Sequence, residues 1–421
     1  MHEVLIGKVK DENTMNKHID RISLDKLLNI GASIGLILYI FCAHFKYPFT
    51  STYFLYISFF IVIVKLFISK KIVVSKRLAM YIAIVSITFL GILYTNNPIE
   101  AQRQAIFFFL YIFIFLLSMQ NTDFLRVTKK LMAVFAFIGM ITVFIQFIIP
   151  TIFNLFLAKI IRIDIYQSVM WSFDVDGTFT GITSSVSMAS FSMAIVFFEA
   201  IRNILDKTPT QSDRREKHLI IAKYINIIIA GIALFGIILT SKRGIFIATI
   251  IALMVTCILD KNISVKRVNK YKILGTIILV SLLLILGFYL ATTNEYVINF
   301  LKRFTGNNIT TGRDVFYENA WKDFSSGNIF TCLIGKGTAS AYLINKTGLH
   351  NVYLQILYDH GIIGLIIYLS FFVINLKNAL CNGYFYSICM QIVFLVYCMS
   401  GNPLYDYFFF IPYLLYTCYK G

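Results

Sequence analysis

Residues 131–150 read LMAVFAFIGMITVFIQFIIP and contain no charged side chain. A helix of that length rises about 30 Å, which is the thickness of the hydrocarbon layer of a bilayer. Two lysines, Lys129 and Lys130, stand directly before the apolar run. The stretch therefore predicts a helix that crosses a membrane and begins beside a basic loop.

The rest of the chain repeats this pattern of long apolar runs separated by short polar gaps. Of its 421 residues, 58% are hydrophobic and 14% are charged, and the mean hydropathy is +0.75. Soluble domains carry about 25% charged residues and could not bury so much apolar surface. A membrane β-barrel would instead show segments of about 10 residues that alternate in polarity. The composition predicts an all-α, polytopic membrane protein that has the lipid bilayer as a partner.

Apolar runs of spanning length occur about twelve times by this criterion. We predict transmembrane helices over residues 27–45, 50–69, 77–95, 104–119, 131–150, 179–201, 219–240, 244–259, 273–292, 351–374, 384–399 and 403–419. The chain then divides into four parts. They are an N-terminal arm (1–26), transmembrane helices 1–9 (27–292), a large loop with short amphipathic helices (293–350), and transmembrane helices 10–12 (351–421).

The net charge of +17 would suggest a nucleic-acid partner in a soluble protein. Here the lysines and arginines crowd the N-terminal arm and every second loop, as the positive-inside rule expects of cytoplasmic segments. We therefore expect both termini in the cytoplasm, the loop 293–350 outside, and no nucleic acid. The seven cysteines form no CxxC pair, so neither a disulfide framework nor a metal site is indicated.

Two cations break this charge rule. Lys242 and Arg243 lie in the turn between the seventh and eighth predicted spans, which the topology places outside. They are either headgroup anchors that snorkel to the interface or part of an anion site. Because charges at a membrane boundary are functional candidates by default, the anion site is the favoured interpretation.

The large outer loop contains a third cation, Arg313. Thr311 and Asp314 have the spacing of a capping box, so residues 310–324 predict a short helix with Arg313 in its first turn. Free N–H groups and the helix dipole favour an anion at that position. Arg313 therefore either binds an anion or forms a solvated ion pair with Asp314 or Glu318.

His350 lies at the outer boundary, where the large loop meets the tenth predicted span. A histidine there can take a proton from a hydroxyl near neutral pH. The alternative is a helix-capping role, for which the neighbouring Asn351 is well suited. His360 stands ten residues further on, about 15 Å into the span if the helix is straight. Two outer arginines and one histidine would together form a diphosphate clamp with a general base.

Four motifs carry a resemblance to a known family. They are SKRG (241–244), TGRDVFYENAW (311–321), GKG (335–337) and LHNVYLQILYDHGIIGL (349–365). The chain resembles the O-antigen polymerase and O-antigen ligase superfamily of bacterial inner-membrane proteins over roughly residues 170–375. The last motif is the most specific of the four.

This resemblance implies a glycosyltransferase of the C-type fold whose site faces the periplasm and which uses neither a metal nor another cofactor. Its donor would be an undecaprenyl-diphosphate-linked oligosaccharide. By position, Arg243 and Arg313 match the diphosphate-binding arginines, and His350 matches the residue proposed to activate the acceptor hydroxyl. The neighbouring supporting candidates are Lys242, Arg303, Tyr353 and Gln355.

The resemblance leaves the acceptor open. A polymerase would transfer the glycan to another lipid-linked repeat unit, together with a possible chain-length regulator, whereas a ligase would transfer it to lipid A–core. The SKRG and LHNVYLQILYDHGIIG motifs favour a polymerase. A lipid-oligosaccharide flippase or other transporter is a second alternative, but the late, large outer loop and the outer cations disfavour it.

Overall fold

The computed structural model describes residues 24–46, 51–69, 74–183, 185–205, 213–259, 298 and 312–418. The ninth predicted span (273–292), Arg303 and Thr311 lie outside these described residues. The described part is helical throughout, apart from turns and one isolated antiparallel bridge between Phe45 and Ile161. No ladder of paired strands occurs within it.

The helices follow the apolar runs. Those before the large loop are α1 (Leu24–Phe41), α2 (Thr52–Ser69), α3 (Lys76–Ile92), α4 (Pro98–Gln120), α5 (Thr122–Ile148), α6 (Pro150–Ile160), α7 (Ile163–Asp176), α8 (Val186–Leu205), α9 (Asp213–Leu239) and α10 (Arg243–Leu259). Those within and after it are α11 (Arg313–Ser325), α12 (Ile329–Ile334), α13 (Val352–Asn382), α14 (Phe385–Tyr397) and α15 (Tyr407–Cys418).

The protein is a polytopic helical membrane protein. Among the described residues, six helices are long and apolar enough to cross a bilayer, and α2, α10, α14 and α15 are shorter apolar helices. Each predicted span in the described part coincides with a helix. The segment between the fifth and sixth predicted spans forms α6 and α7. The span predicted over 131–150 begins inside α5, which starts a further nine positions upstream at Thr122.

Contacts at one end of the bundle join residues that the charge rule places in the cytoplasm. Lys65 of α2 pairs with Asp25 of α1 at 3.0 Å. Lys129 of α5 pairs with Glu199 of α8 at 3.2 Å, although Lys129 is almost completely buried. We call this the inner end. Its buried lysines are paired, as buried charges must be.

Contacts at the opposite end join the segments predicted to lie outside. Phe179, ahead of α8, donates its N–H to the Leu239 carbonyl at 3.3 Å, and Val352 donates to Cys398 at 2.8 Å. The loop that follows α12 reaches α3 through Thr338, whose N–H donates to Gly91 at 3.2 Å. We call this the outer end. Each of these contacts joins segments that the charge rule assigns to the same side.

The helix α13 is broken at Gly361, whose φ of 64° and ψ of −167° are not helical. The break corrects the tenth predicted span, which was expected to be continuous over 351–374. It also corrects the expected depth of His360, which lies at the break and is buried there rather than about 15 Å along a straight helix.

Two hydrogen bonds give the direction of the break. Tyr384 donates to Ala379 at the inner end, and Val352 donates to Cys398 at the outer end. Between those bonds, α14 is about 20 Å long, whereas a straight α13 would need about 40 Å. The segment Val352–His360 must therefore turn by roughly a right angle or more and run across the bundle, bringing residue 352 against the end of α14.

The GKG motif occupies the gap that the break opens. In a continuous helix, the Tyr358 and Asp359 carbonyls would accept hydrogen bonds from residues four positions later. Here Lys336 and Gly337 donate their N–H groups to those carbonyls, both at 2.9 Å. A Cβ atom on Gly335 would collide with the backbone of Asp359. The motif therefore needs glycine because two backbones meet there.

We predict that Gly361→Ala destabilises the protein by about 1–3 kcal/mol or more, because alanine is strained at this positive φ and its Cβ would collide with the Leu333 carbonyl. Gly231→Ala is the matched control, since a Cβ there meets nothing within 4 Å. Thermal unfolding in detergent, followed by size-exclusion chromatography, measures both. Equal midpoints for the two variants would contradict this account of the break.

Candidate functional site

His350 lies immediately before the broken helix, in an unusual backbone conformation. Its φ is 55°, in the left-handed region that residues other than glycine rarely adopt. The helix cap is Asn351, whose side-chain oxygen accepts the Leu354 N–H at 3.1 Å. The capping role left open in the sequence therefore belongs to Asn351, and the imidazole of His350 is not used for it.

Three contacts hold His350 in this conformation. Tyr317 of α11 donates its hydroxyl to the His350 carbonyl at 3.2 Å. The Thr347 hydroxyl is 3.1 Å from His350 Nε2 and sets the orientation of the ring. The buried Gln355 accepts the N–H of Leu349 at 3.2 Å through its Oε1. Gln355 therefore stabilises the strained turn through the backbone of Leu349.

Arg313 is the first residue of α11, as the sequence predicts, but the residue before the helix is Gly312 at φ 76° and provides no side-chain cap. One guanidinium nitrogen of Arg313, Nη1, donates to the Ser400 carbonyl at 2.8 Å. Glu318, one of the two expected ion-pair partners, pairs with Lys322 at 2.6 Å instead. Arg313 is thus anchored to the turn after α14.

The other outer cations approach the same turn. Arg243 is the first residue of α10. Gly244, which follows it, packs against Ser400 and Tyr397, where a Cβ atom would collide with the Ser400 hydroxyl. Lys242 Nζ lies 5.6 Å from the centre of the Tyr397 ring. The helix starts that carry Arg243 and Arg313 therefore meet at the turn Tyr397–Ser400.

Electrostatics links these cations to His350. Burial, followed by the charges of Arg313 and Lys242, lowers the pKa of His350 from 6.5 to about 4. Two nearby positive charges disfavour a third one on the imidazole, so the ring is neutral at pH 7. A neutral imidazole is the form that can accept a proton.

The remaining sequence candidates have other placements. The Tyr353 hydroxyl donates to the Leu395 carbonyl at 2.8 Å and joins α13 to α14. Gln355 is buried and accepts a hydrogen bond from the backbone N–H of Leu349, next to His350. Arg303 lies outside the described residues. Of the four supporting candidates, Lys242 is the one whose charge acts on His350.

Sequence reasoning missed the residues that make the turn around His350. They are Thr347, Tyr317, Ser400 and Asn402. Asn402 donates to the Thr347 carbonyl at 2.7 Å, so the loop before α15 holds the loop before α13. Thr347 lies three positions before His350, and that proximity was the available signal. Tyr317, Ser400 and Asn402 are remote in the chain and give no periodic pattern.

Asp406 is an acid at the same outer end. It accepts the Phe408 N–H at 2.9 Å, which caps the start of α15. Helix capping is the role that the hydrogen bond supports.

The motifs that build this site lie within one family match. Residues 228–369 match the family model described as O-antigen ligase, and this segment contains Arg243, Arg313 and His350. Over this segment the protein is similar to the O-antigen polymerase and O-antigen ligase superfamily. The match supports a glycosyltransferase-like activity in the broad sense and a lipid-linked glycan as the class of substrate. No curated protein matches the chain at a significant level.

We predict that Arg313→Gln and Lys242→Gln each raise the pKa of His350 from about 4 toward 6.5, because each removes a positive charge that opposes protonation. Lys336→Gln is the control, since Lys336 instead pairs with Asp323 at 2.6 Å. NMR of histidine-labelled protein in nanodiscs follows the titration, with the signal assigned by its loss in His350→Asn. An unchanged pKa in both variants would show that these cations do not influence the protonation of His350.

Proposed function

We propose that the protein is an O-antigen polymerase that joins undecaprenyl-diphosphate-linked repeat units at the periplasmic face of the bacterial inner membrane. The observation that carries the proposal is the meeting of three cation-bearing positions and a neutral histidine around the turn Tyr397–Ser400. Glycosyl transfer from a lipid diphosphate needs an anion clamp and a base. Residues of this turn and its neighbours would supply both.

The cations would stabilise the leaving group. When the bond between the anomeric carbon and the diphosphate oxygen breaks, negative charge grows on undecaprenyl diphosphate. Arg243 and Arg313, each at the first residue of a helix, would bind its oxygens, and Lys242 would add a third charge. Such neutralisation by side chains requires no metal ion.

His350 would activate the nucleophile. A hydroxyl of the acceptor sugar attacks the anomeric carbon of the donor while His350 accepts its proton. The diphosphate leaves from the opposite face, so the anomeric centre is inverted. Thr347 orients the imidazole through the contact at Nε2, and Tyr317 and Gln355 hold the backbone turn.

The same charges would couple donor binding to basicity. In the free site, burial lowers the pKa of His350, and the charges of Arg313 and Lys242 lower it further. A bound diphosphate places negative charge beside those cations and so removes much of their effect on the imidazole. The pKa of His350 then rises, and the histidine becomes a stronger base when the donor is present.

The alternative functions differ either in the acceptor of the glycan or in the process, which would be transport instead of glycosyl transfer. An O-antigen ligase would use the same donor and the same three residues but would transfer the glycan to lipid A–core. The polymerase is favoured by the form of the SKRG and LHNVYLQILYDHGIIG motifs. A flippase or transporter is disfavoured by the family match. A chain-length regulator is the protein partner expected of a polymerase.

We predict that His350→Ala lowers polymer formation by about 10²–10⁴-fold, because it removes the base. The matched control is Lys322→Ala, an exposed position on α11. Lipopolysaccharide gels of a complemented deletion strain measure the product. Single-repeat lipopolysaccharide in the deletion identifies a polymerase, whereas core without O-antigen identifies a ligase. Normal long chains with His350→Ala would refute the catalytic assignment.

We predict that farnesyl diphosphate, added with EDTA, raises the pKa of His350 in the labelled protein, because its diphosphate offsets the neighbouring cations. Farnesol, which has the same chain but no charge, serves as the control ligand. Arg313→Gln should weaken the response. A response that appears only with added Mg²⁺, or one that farnesol matches, would contradict a metal-independent diphosphate clamp.

A further inference from the structure

The short helix α12 exposes its apolar side chains although it lies within the loop 293–350. Ile329 is 71% exposed and Phe330 is 68% exposed, and Leu333 and Ile334 are also exposed. Side chains of this kind are normally buried in a water-soluble loop. A cluster on adjacent turns marks a surface that another apolar phase or partner covers.

The depth of α12 follows from the break in α13. The part of α13 from Gly361 to Asn382 is about 33 Å long, which matches the hydrocarbon thickness of a bilayer. Gly361 therefore marks the outer boundary of the hydrocarbon layer. Because the backbone of Leu333 touches Gly361, the end of α12 lies at this boundary.

A second contact places α12 at the same level relative to the bilayer. The Tyr94 hydroxyl, just after the outer end of α3, donates to the Ile334 carbonyl at 2.9 Å. The neighbouring segment is attached to α3 as well, through the side chain of Thr338, which donates to the Thr88 carbonyl at 2.7 Å. Thus α12 is held beside the outer ends of two helices of the bundle.

The exposed surface of α12 continues the lipid-facing surface of those helices. On α3 and its end, Leu90 and Leu93 are exposed, Leu93 by 81%. On α13, Ile362 and Ile363 follow the break and are exposed. The apolar surface of α12 lies between these two groups. Because the apolar surface of α12 is continuous with the membrane-facing surfaces of α3 and α13, we expect the same lipid to cover all three.

Polar and amphipathic groups border α12 on the other side. Asp323 of α11 pairs with Lys336, and the Tyr358 hydroxyl donates to the same carboxylate. Trp321 is exposed on α11. Tryptophan, tyrosine and lysine beside an apolar helix are typical of the headgroup level of a bilayer.

We propose that α12 is an interfacial helix whose side chains Ile329, Phe330, Leu333 and Ile334 insert into the acyl chains of the outer leaflet. Its partner is the lipid bilayer, and the inference does not depend on the reaction. The insertion holds the break of α13 at a fixed depth. The segment Val352–His360 runs across the bundle from that break, so the level of His350 relative to the headgroups is fixed with it.

Depth-dependent fluorescence quenching tests this proposal. The two native tryptophans are replaced by Trp171→Phe and Trp321→Phe, and a single reporter is introduced by Phe330→Trp. The full-length protein is placed in liposomes of lipids brominated on the acyl chains. Matched reporters are Ile366→Trp, on the exposed face of α13, and Glu318→Trp, at an exposed charged position of α11.

The reporter at 330 should be quenched at least half as strongly as the one at 366, and several-fold more strongly than the one at 318. Quenching no greater than at 318 would overturn the proposal, whether water or a second protein copy covers α12. Ile329→Trp provides an independent reporter if Phe330→Trp does not give a monodisperse protein. Since quenching needs no substrate, its outcome is separable from that of the activity assays.

Discussion

The backbone hydrogen bonds from Lys336 and Gly337 to the carbonyls of Tyr358 and Asp359 are the interaction on which the outer end depends. A helix broken inside a membrane protein leaves carbonyl groups without partners, and each such buried group is costly. The GKG segment supplies the missing donors, so the break at Gly361 can persist. The break then turns Val352–His360 across the bundle and places His350 near the end of α14.

The charge distribution separates two kinds of cation. Among the described residues, the buried lysines Lys65 and Lys129 at the inner end form ion pairs with Asp25 and Glu199. At the outer end, burial and then the charges of Arg313 and Lys242 lower the pKa of His350. Positive charges gathered at one surface raise the local potential and favour an anionic ligand there.

Sequence reasoning succeeded where a local rule applies. The apolar runs predicted the spans in the described part, and the preference of asparagine for helix starts predicted the role of Asn351. It failed where the cause is remote in the chain. The tenth span was expected to be straight because its overall apolar length fits one spanning helix, while the residues that stabilise the break lie some 25 positions earlier.

By itself, the sequence determined the class of protein, and it predicted the alternation of its loops and the cations that violate the charge rule. Apolar length and loop charge suffice for these features because the bilayer acts on each segment separately. The tertiary structure decided which groups meet: Arg313 with Ser400, Tyr317 and Thr347 with His350, and α12 with the break. These contacts join loops that are remote in the chain, and packing of the helices between them sets their separation.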